Sequence, residues 1–265
     1  MRTITLRWVR VICLCAVDLL TGCAGNSKNV NPVDPYEKAN RFLYNVNEDL
    51  DRWALKPISD AYLKFVPTFL RVCLGNAFDN LTYGDVILND FLQGEARQGV
   101  GDLGRMALNS TLGIGGLFDV ATDLHLPAHQ TDFGLTLAQW GVKPGPYLFI
   151  PVFGPSTVRD CTRYGVAVLD DPITWIDAPW AATIPLSFTY IIDTRSRYGA
   201  ELRFRSETAI DPYVFTRTAY LQYREGLTHP GKTSPPPDQD LYDVDDDTSS
   251  TTQPASQATT QGGKR

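Results

Sequence analysis

The helical spacing of apolar residues that follows Asp34 is the feature that most constrains this chain. Apolar side chains recur there every three or four positions, and charged or amide side chains occupy the other positions. This spacing predicts an amphipathic helix that ends near Leu55, ahead of Pro57. The segment Asp34-Pro35-Tyr36-Glu37 is typical of a helix start, in which Asp34 is the N-cap and Glu37 completes a capping box.

Helical spacing also predominates in the rest of the chain, and the alternation typical of strands is scarce. With 43% hydrophobic and 20% charged residues, the region 34–225 is able to bury one sizeable core, so we predict a single all-α domain. The exception is Gly141 to Pro151, where Lys143-Pro144-Gly145-Pro146 separates short apolar pieces and predicts a hairpin or an extended loop. Further helices are predicted over residues 58–65, 68–80, 85–93, 95–112, 132–140, 156–169 and 194–224, the last with a break near Asp211-Pro212.

The N-terminus carries the parts of a secretory signal, with three arginines followed by an apolar stretch over residues 11–20. This stretch is too short for a transmembrane helix, which needs about 20 residues. It ends in Leu20-Thr21-Gly22-Cys23, which resembles the site at which bacterial lipoprotein precursors are diacylated on the cysteine and cleaved before it. We therefore predict a signal peptide at residues 1–22 and a lipid anchor on Cys23. An ordinary signal peptide that contains a cysteine is the alternative.

Two polar segments flank the predicted domain. Residues 23–33 form a short lipidated tether, and residues 226–265 form an acidic and polar tail with too few apolar residues to fold alone. We predict a disordered tail; a docking site for a basic partner is the alternative. Removal of residues 1–22 leaves 21 basic and 29 acidic residues, a net charge of −8, which argues against a nucleic-acid partner. Ala24 stands where an Asp marks inner-membrane retention in such lipoproteins, and it therefore indicates the outer membrane.

Two further features leave alternatives open. Cys73 and Cys161 remain beside Cys23 in the mature chain, and they form either a disulfide or two separate thiols. The segment Ile173 to Ile192 is nearly free of charge and contains two tryptophans and two prolines. It is either a buried, broken helix or a segment at a bilayer surface, and we favour the interfacial position. Its prolines argue against a straight transmembrane span.

Patterns typical of catalysis and of metal or cofactor binding are weak. His125 and His129 are four residues apart, but Pro127 lies between them, which predicts loop positions rather than a metal site. Gly113-Ile114-Gly115-Gly116 is not followed by Lys and Ser or Thr, so it predicts a turn rather than a phosphate-binding loop. Ser156 lacks the second glycine of a nucleophile elbow and fits a helix cap. We therefore predict no catalytic residue, no metal and no cofactor.

Four ordered motifs over residues 34–160 carry a specific resemblance. They are Asp34-Pro35-Tyr36-Glu37 with Asn40-Arg41 and Tyr44, then Asn89-Asp90-Phe91-Leu92-Gln93-Gly94, then Asn109 to Ala121, and last Asp132 to Leu148 with Gly154-Pro155-Ser156-Thr157-Val158-Arg159-Asp160. Together with the cysteine motif, they resemble the VacJ/MlaA family of outer-membrane lipoproteins. The sequence departs from the family pattern at Ala39, Val46, Ala77, Gly84, Thr131, Leu135 and Lys143.

The resemblance implies a ring-shaped domain of amphipathic helices around a central channel, held in the inner, periplasmic leaflet of the outer membrane. Members of the family remove mislocalised phospholipids from the outer leaflet and pass them to a periplasmic phospholipid-binding shuttle, which maintains lipid asymmetry. Trimeric porins are their membrane partners. No covalent bond is broken in this process, so the resemblance implies a protein that is not an enzyme.

The resemblance also implies which residues handle lipid. Polar side chains of the first helix would line the phospholipid path, and the segment from Gly141 to Pro151 would be the loop near the channel. The candidates are Asn40, Arg41, Phe42, Asn45 and Glu48 for the path, and Gly141, Gly145, Pro146 and Tyr147 for the loop. An ordinary surface helix is the alternative for the first set. Arg41 and Arg105 either attract lipid phosphate or pair with acids.

Two other functions remain as alternatives. One is a non-conducting lipoprotein scaffold that docks on porins and on a periplasmic partner. The other is a lipid-degrading hydrolase, which is disfavoured because the sequence offers no Ser/His/Asp or metal constellation.

Overall fold

The computed structural model describes residues 31–170 and 180–229 of the 265-residue chain. The predicted signal peptide, the anchor at Cys23, most of the tether and the tail from residue 230 onward lie outside the described residues. The described part is helical with one small hairpin, so the predicted helical class is confirmed. None of its helices combines the length and the apolar character that a membrane crossing requires.

The described helices and strands are numbered in chain order. They are α1 (Glu37–Leu50), α2 (Lys56–Phe65), α3 (Thr68–Gln93), α4 (Ala96–Thr111), α5 (Val120–Asp123), α6 (Phe133–Gln139), β1 (Tyr147–Ile150), β2 (Gly154–Thr157), α7 (Thr162–Asp170), α8 (Trp180–Arg197), α9 (Gly199–Thr208) and α10 (Pro212–Thr228). Helix α3 packs on α4, α1 packs on β1, and α8 packs on α2. Helix α10 contacts both α6 and β2, so the C-terminal helix closes the fold against the hairpin.

The first helix does not end ahead of Pro57, as the sequence predicts. Asp51–Leu55 forms a π-helical turn in which the backbone N–H of Lys56 donates to the carbonyl of Asp51, and α2 continues through Pro57. A π turn changes the hydrogen-bond register by one residue, so the chain remains helical where proline supplies no N–H. The predicted boundary before Pro57 is therefore wrong.

Helix α3 is one helix of 26 residues where the sequence predicts two. Gly84 lies in its interior, at a cost of about 1 kcal/mol relative to alanine. Packing of α3 against α4 and other helices offsets that cost. Phe78, in the first half of α3, contacts Tyr190 of α8, and Asn89, in the second half, accepts a hydrogen bond from Thr136 of α6. Helix α3 then ends at Gly94, as predicted, in a left-handed conformation.

The hairpin is confirmed, but its turn lies further along the chain than predicted. Strands β1 and β2 are antiparallel, with Tyr147 opposite Thr157 and Ile150 opposite Gly154, so the turn covers residues 151–153. The segment before β1 also lies beside the chain after β2, because the carbonyls of Pro144 and Pro146 accept hydrogen bonds from the backbone there.

Ser156 is not a helix cap, and the helix predicted from residue 156 begins only at Thr162. Ser156 is fully buried in β2, where its hydroxyl donates to the carbonyl of Thr157. The cross-strand hydrogen bonds of the hairpin satisfy the backbone of this segment, and that long-range pairing is absent from the local pattern.

The C-terminal helices confirm the predicted break at Asp211-Pro212. The Asp211 carboxylate accepts from the N–H of Val214 at 3.1 Å, and Pro212 occupies the first helical turn of α10. Helix α8 starts at Trp180 rather than at residue 194, and it contains Pro185. The described part of the segment Ile173 to Ile192 is therefore helical.

Aromatic side chains form the apolar core between α1, the hairpin and α10. Tyr44 contacts Phe149 and Tyr213 edge to face, with ring centroids 5.3 and 5.7 Å apart. Tyr147 contacts Tyr213 and Tyr220 in the same way, at 6.2 and 6.3 Å. Such pairs contribute about 0.5–1.5 kcal/mol each beyond the burial of their area. This cluster fixes the position of the hairpin.

Asp34 is not the N-cap of α1, because its carboxylate bonds to distant residues. The helix begins at Glu37 without a side-chain cap. Asp34 Oδ1 accepts from Asn40 at 2.8 Å, and Oδ2 accepts from the Tyr213 hydroxyl at 2.5 Å and from Arg217 at 2.7 Å. Asp34 therefore joins the start of the domain to its last helix, and the predicted capping box is wrong.

Replacement of Asp34 by alanine tests this connection. Asp34→Ala leaves Arg217 largely buried without its main partner, and we expect a loss of about 3 kcal/mol in the free energy of unfolding. Urea unfolding of the purified protein measures it. Asp49→Ala, at an exposed position of α1, is the matched control and should change stability by less than about 0.5 kcal/mol. Equal stability of the two variants would show that the connection contributes nothing.

Candidate functional site

Asn40, a predicted path residue, is buried and connects α1 to the hairpin. Its amide group donates to Asp34 and, at 3.0 Å, to the carbonyl of Tyr147. Its Oδ1 accepts from the N–H of Phe149 at 2.9 Å. Because the side-chain amide bonds within the protein on both sides, Asn40 positions the predicted loop residue Tyr147 and leaves no polar group for solvent.

The other predicted path residues lie nearer the surface of α1. Arg41 is half-buried between Glu37 and Asp211, with a distance of 2.8 Å to each carboxylate. Glu48 accepts a short hydrogen bond of 2.6 Å from Arg205 of α9. Both charges are therefore paired across helices. Phe42 and Asn45 are exposed, and Phe42 has 66% of its surface accessible.

The predicted loop residues are fixed by backbone contacts. Gly145 has φ +69°, and a Cβ atom there would lie 3.2 Å from Cβ of Val158. Pro146 accepts from the N–H of Val158 at 3.1 Å, and Tyr147 donates its N–H to Val33 at 2.9 Å. The loop thus combines a left-handed residue with hydrogen bonds on both of its flanks. Tyr147 is fully buried, and burial raises the pKa of its hydroxyl.

Gly141 lies on the far side of this loop, at a cleft of about 320 Å³. The cleft is bounded by residues 141–144, by Arg159 and Asp160 after β2, and by Arg224 and its neighbours on α10. The structure therefore brings Asn40 and Tyr147 together and places Gly141 apart from them, against a charged wall.

Arg224 is the centre of that wall, and sequence patterns did not reveal it. Its guanidinium contacts Asp132, the N-cap of α6, and lies 3.0 Å from Asp160 Oδ1. Asp160 also accepts from Arg159 at 2.8 Å and from Tyr220 at 2.9 Å. The available signal in the sequence was that Asp132 and Asp160 both belong to the motifs that carry the family resemblance. Their partner on α10 is 64 residues beyond Asp160.

Burial opposes the charged forms of both acids, but the arginines outweigh it. Hydrogen bonds and charge from Arg159 and Arg224 hold the pKa of Asp160 below its ordinary value. Arg224 does the same for Asp132, and the two carboxylates in turn raise the pKa of Arg224. Asp132, Asp160 and Arg224 are therefore charged at neutral pH.

Arg105 pairs with an acid too, which settles the choice between pairing and a free phosphate-binding group. Its guanidinium lies 2.6 Å from Asp119 Oδ2 and 2.9 Å from Thr122 Oγ1. Arg41 is paired as well, so both arginines that the sequence indicated as possible phosphate-binding groups are paired with acids.

Polar and apolar side chains are distributed in an unusual way over the described residues. The fully buried side chains include many charges and few large aliphatic groups, whereas large apolar groups are exposed on most helices. The buried charged residues are Asp34, Asp90, Asp102, Arg105, Arg159, Asp160, Asp193 and Arg224. Strongly exposed apolar residues include Phe42, Trp53, Phe65, Phe69, Leu112, Ile114 and Ile184, and Trp53 has 79% of its surface accessible. Large apolar side chains exposed on many helices are typical of proteins that contact a membrane or another protein.

The described histidines lie in a loop or after a helix, and the two described cysteines are free thiols. His125 and His129 lie in the loop between α5 and α6, and His229 follows α10, as the sequence predicts for the loop pair. Cys73 is buried and Cys161 is half-buried, and both are free thiols. Of the two alternatives for Cys73 and Cys161, the structure therefore contains the two separate thiols and not the disulfide.

A family model described as MlaA lipoprotein matches residues 32–227. This match begins two residues before Asp34 and ends one residue before the end of α10.

The chain belongs to the MlaA lipoprotein family.

Similar proteins of this family agree over most of the chain. The protein named intermembrane phospholipid transport system lipoprotein MlaA from Shigella flexneri is 32% identical over 234 residues, which cover 86% of this chain and 92% of that protein. The protein of the same name from Haemophilus influenzae is 30% identical, over 80% of this chain and 87% of the relative. A solved structure described as "Structural basis for maintenance of bacterial outer membrane lipid asymmetry" matches with a TM-score of 0.64 and 29% identity, over 74% of this chain and 98% of the other.

The acids around Arg224 predict how this MlaA family member responds to acid. Because folding lowers the pKa of Asp160, its contribution to stability is complete above the unfolded pKa of about 3.9 and is lost as the pH falls towards the folded value. Asp160→Asn should reduce the free energy of unfolding by about 2–3 kcal/mol at pH 7. Its stability should then fall less steeply than that of the wild type below pH 4. Urea unfolding between pH 7 and pH 3 compares them, and parallel curves would contradict the pairing.

Proposed function

We propose that this chain is an outer-membrane lipoprotein that removes mislocalised phospholipids from the outer leaflet and hands them to a periplasmic shuttle. The observation that carries the proposal is the outward placement of large apolar side chains around paired, buried charges. The relatives named as components of an intermembrane phospholipid transport system, and the solved structure concerned with lipid asymmetry, support the same role. In this role the protein moves phospholipid without a covalent step and is not an enzyme.

The proposed location is the inner leaflet of the outer membrane. A lipid on Cys23 anchors the chain there, and the exposed apolar side chains of the helices contact acyl chains. Trp53 in the π turn and Phe65 at the end of α2 are suited to this contact because they are 79% and 75% exposed. The described part of the charge-free segment, on α8, adds Ile184 and Phe188 as exposed groups, which supports its interfacial position.

A trimeric porin is the proposed partner in the plane of the membrane, and a soluble phospholipid-binding protein is the proposed partner on the periplasmic side. A protein anchored in the inner leaflet does not span the bilayer. A partner that spans the membrane would therefore connect the proposed lipid path with the outer leaflet.

The proposed lipid path is a central channel enclosed by the amphipathic helices. Asn45 and Glu48 are the first-helix groups best placed to meet a headgroup, since Asn45 is exposed and Glu48 is half-buried. Arg41 belongs to the path as a paired charge beside Asp211, and Phe42 as an exposed apolar contact. Asn40 acts by fixing Tyr147, and so supports the loop rather than the lipid.

The loop formed by Gly141, Gly145, Pro146 and Tyr147 is the proposed regulator of the channel. Gly145 is the residue to change, because alanine at its φ of +69° costs about 1–2 kcal/mol of backbone energy and also presses on Val158. The backbone of the loop must shift to relieve this.

Gly145→Ala should alter the exposure of phospholipid on the cell surface. We expect a severalfold increase relative to wild type when each form complements a host that lacks its own copy, measured by labelling of surface phosphatidylethanolamine. Gly104→Ala, in α4 with no atom near the added methyl group, is the control and should match wild type. Normal surface labelling in Gly145→Ala at equal protein level would remove the loop from the mechanism.

A non-conducting scaffold is the second candidate, because Arg41 and Glu48, the two charged residues of the proposed path, are both paired within the protein. The two functions differ in lipid content. The transporter should purify with bound phospholipid, whereas the scaffold should contain none at equal yield. Extraction of the purified complex and quantification of lipid phosphorus measure this directly.

A further inference from the structure

Three side chains that are distant in sequence converge beneath the loop between α5 and α6. Asp90 comes from the end of α3, Asp102 from α4 and His129 from the loop. The Nε2 atom of His129 lies 3.0 Å from Asp90 Oδ1, and its Nδ1 atom lies 2.9 Å from Asp102 Oδ2. One ligand atom from each residue lies within 4.8 Å of the other two. The three side chains therefore face one small volume.

Both carboxylates are buried, which makes their proximity costly. Asp90 is 1% exposed and Asp102 is 2% exposed, whereas His129 is partly accessible. Asp90 Oδ2 is buried and has no hydrogen-bond partner among the described residues. A buried carboxylate oxygen without a partner, beside a second carboxylate, is the arrangement that a cation stabilises.

Neighbouring side chains form hydrogen bonds with Asp102 and His129. The Tyr83 hydroxyl donates to Asp102 Oδ1 at 2.7 Å. The Gln98 amide lies 3.3 Å from Asp102 Oδ2 and 3.0 Å from His129 Nδ1. Metal ligands in proteins are oriented by outer hydrogen bonds of this kind.

An ion has a route to the cluster. A cleft lined by residues 94–98, by Gly101 and Asp102, and by Leu126 and Pro127 opens beside it. Asp102 is thus both a member of the cluster and part of the cleft wall.

We propose that Asp90, Asp102 and His129 bind one divalent transition-metal ion, with Zn²⁺ as the best match. An imidazole and two carboxylates are a donor set that Zn²⁺ accepts, and a water molecule completes its four ligands. The ion neutralises the two carboxylates and fastens the loop to α3 and α4. The site is separate from the proposed lipid path and does not depend on the proposed function.

Zinc titration of the purified full chain tests the proposal. After treatment with a chelator, Zn²⁺ alone is added in a calorimeter and in thermal unfolding. We expect one ion per chain and a rise in the unfolding temperature that depends on zinc concentration. Tyr83→Phe should weaken binding by about 10–100-fold. His129→Gln and Asp90→Asn should weaken it further.

The control is His125→Gln, which removes an imidazole from the same loop four residues away and should bind as the wild type does. Asp90→Asn keeps the shape of the side chain and removes one carboxylate ligand, so the zinc-dependent rise in the unfolding temperature should be reduced in this variant. The proposal is overturned if the wild type shows neither heat of zinc binding nor a rise in unfolding temperature when zinc is present at about 100 times the protein concentration. It is equally overturned if a folded His129→Gln variant binds as tightly as His125→Gln does.

Discussion

Ion pairs between buried arginines and aspartates are the interactions on which the rest of this structure depends. Arg217 with Asp34 holds the start of the domain to α10, and Arg224 with Asp132 and Asp160 holds α10 to α6 and the hairpin. Removal of one partner from such a pair leaves an uncompensated buried charge, which is far more costly than the pair itself. The ion pairs therefore specify how the helices fit together.

The interior depends on ion pairs because many of the large apolar side chains lie on the surface. Large apolar side chains point outward on α1, α2, α3 and α8, so they do not form a large aliphatic core. The remaining interior is an aromatic cluster around Tyr147 together with paired charges and amides. In an apolar surrounding, helices gain little from burying more apolar area, and polar contacts between them carry the specificity. The same distribution is consistent with a protein that lives partly in a lipid monolayer.

Local chemistry was readable from the sequence, and distant pairing was not. The helix start at Asp211-Pro212 and the end of α3 at Gly94 were predicted because capping residues act within a few positions. Asp34 looked like a cap for the same reason, yet its strongest partners are 179 and 183 residues away. Ser156 was misassigned because strand pairing in the hairpin outweighs its capping preference.

The candidate site likewise contains some residues that the sequence indicated and others that it did not. The family resemblance selected α1 and the loop, and the structure joins them through Asn40 and Tyr147. Arg224 was missed because an arginine on an amphipathic helix gives no sign of the acids that it will meet. The Asp90, Asp102 and His129 cluster was missed because its members lie on two helices and a loop, and no spacing rule links them.

Transfer of phospholipid by this protein is the most direct test of the central claim. The full protein is reconstituted together with the proposed porin partner in vesicles whose outer leaflet carries a fluorescent phospholipid, and a soluble lipid-binding acceptor is enclosed. The account predicts that label reaches the acceptor faster than in vesicles with the porin alone. Equal rates with and without the correctly inserted chain would contradict it.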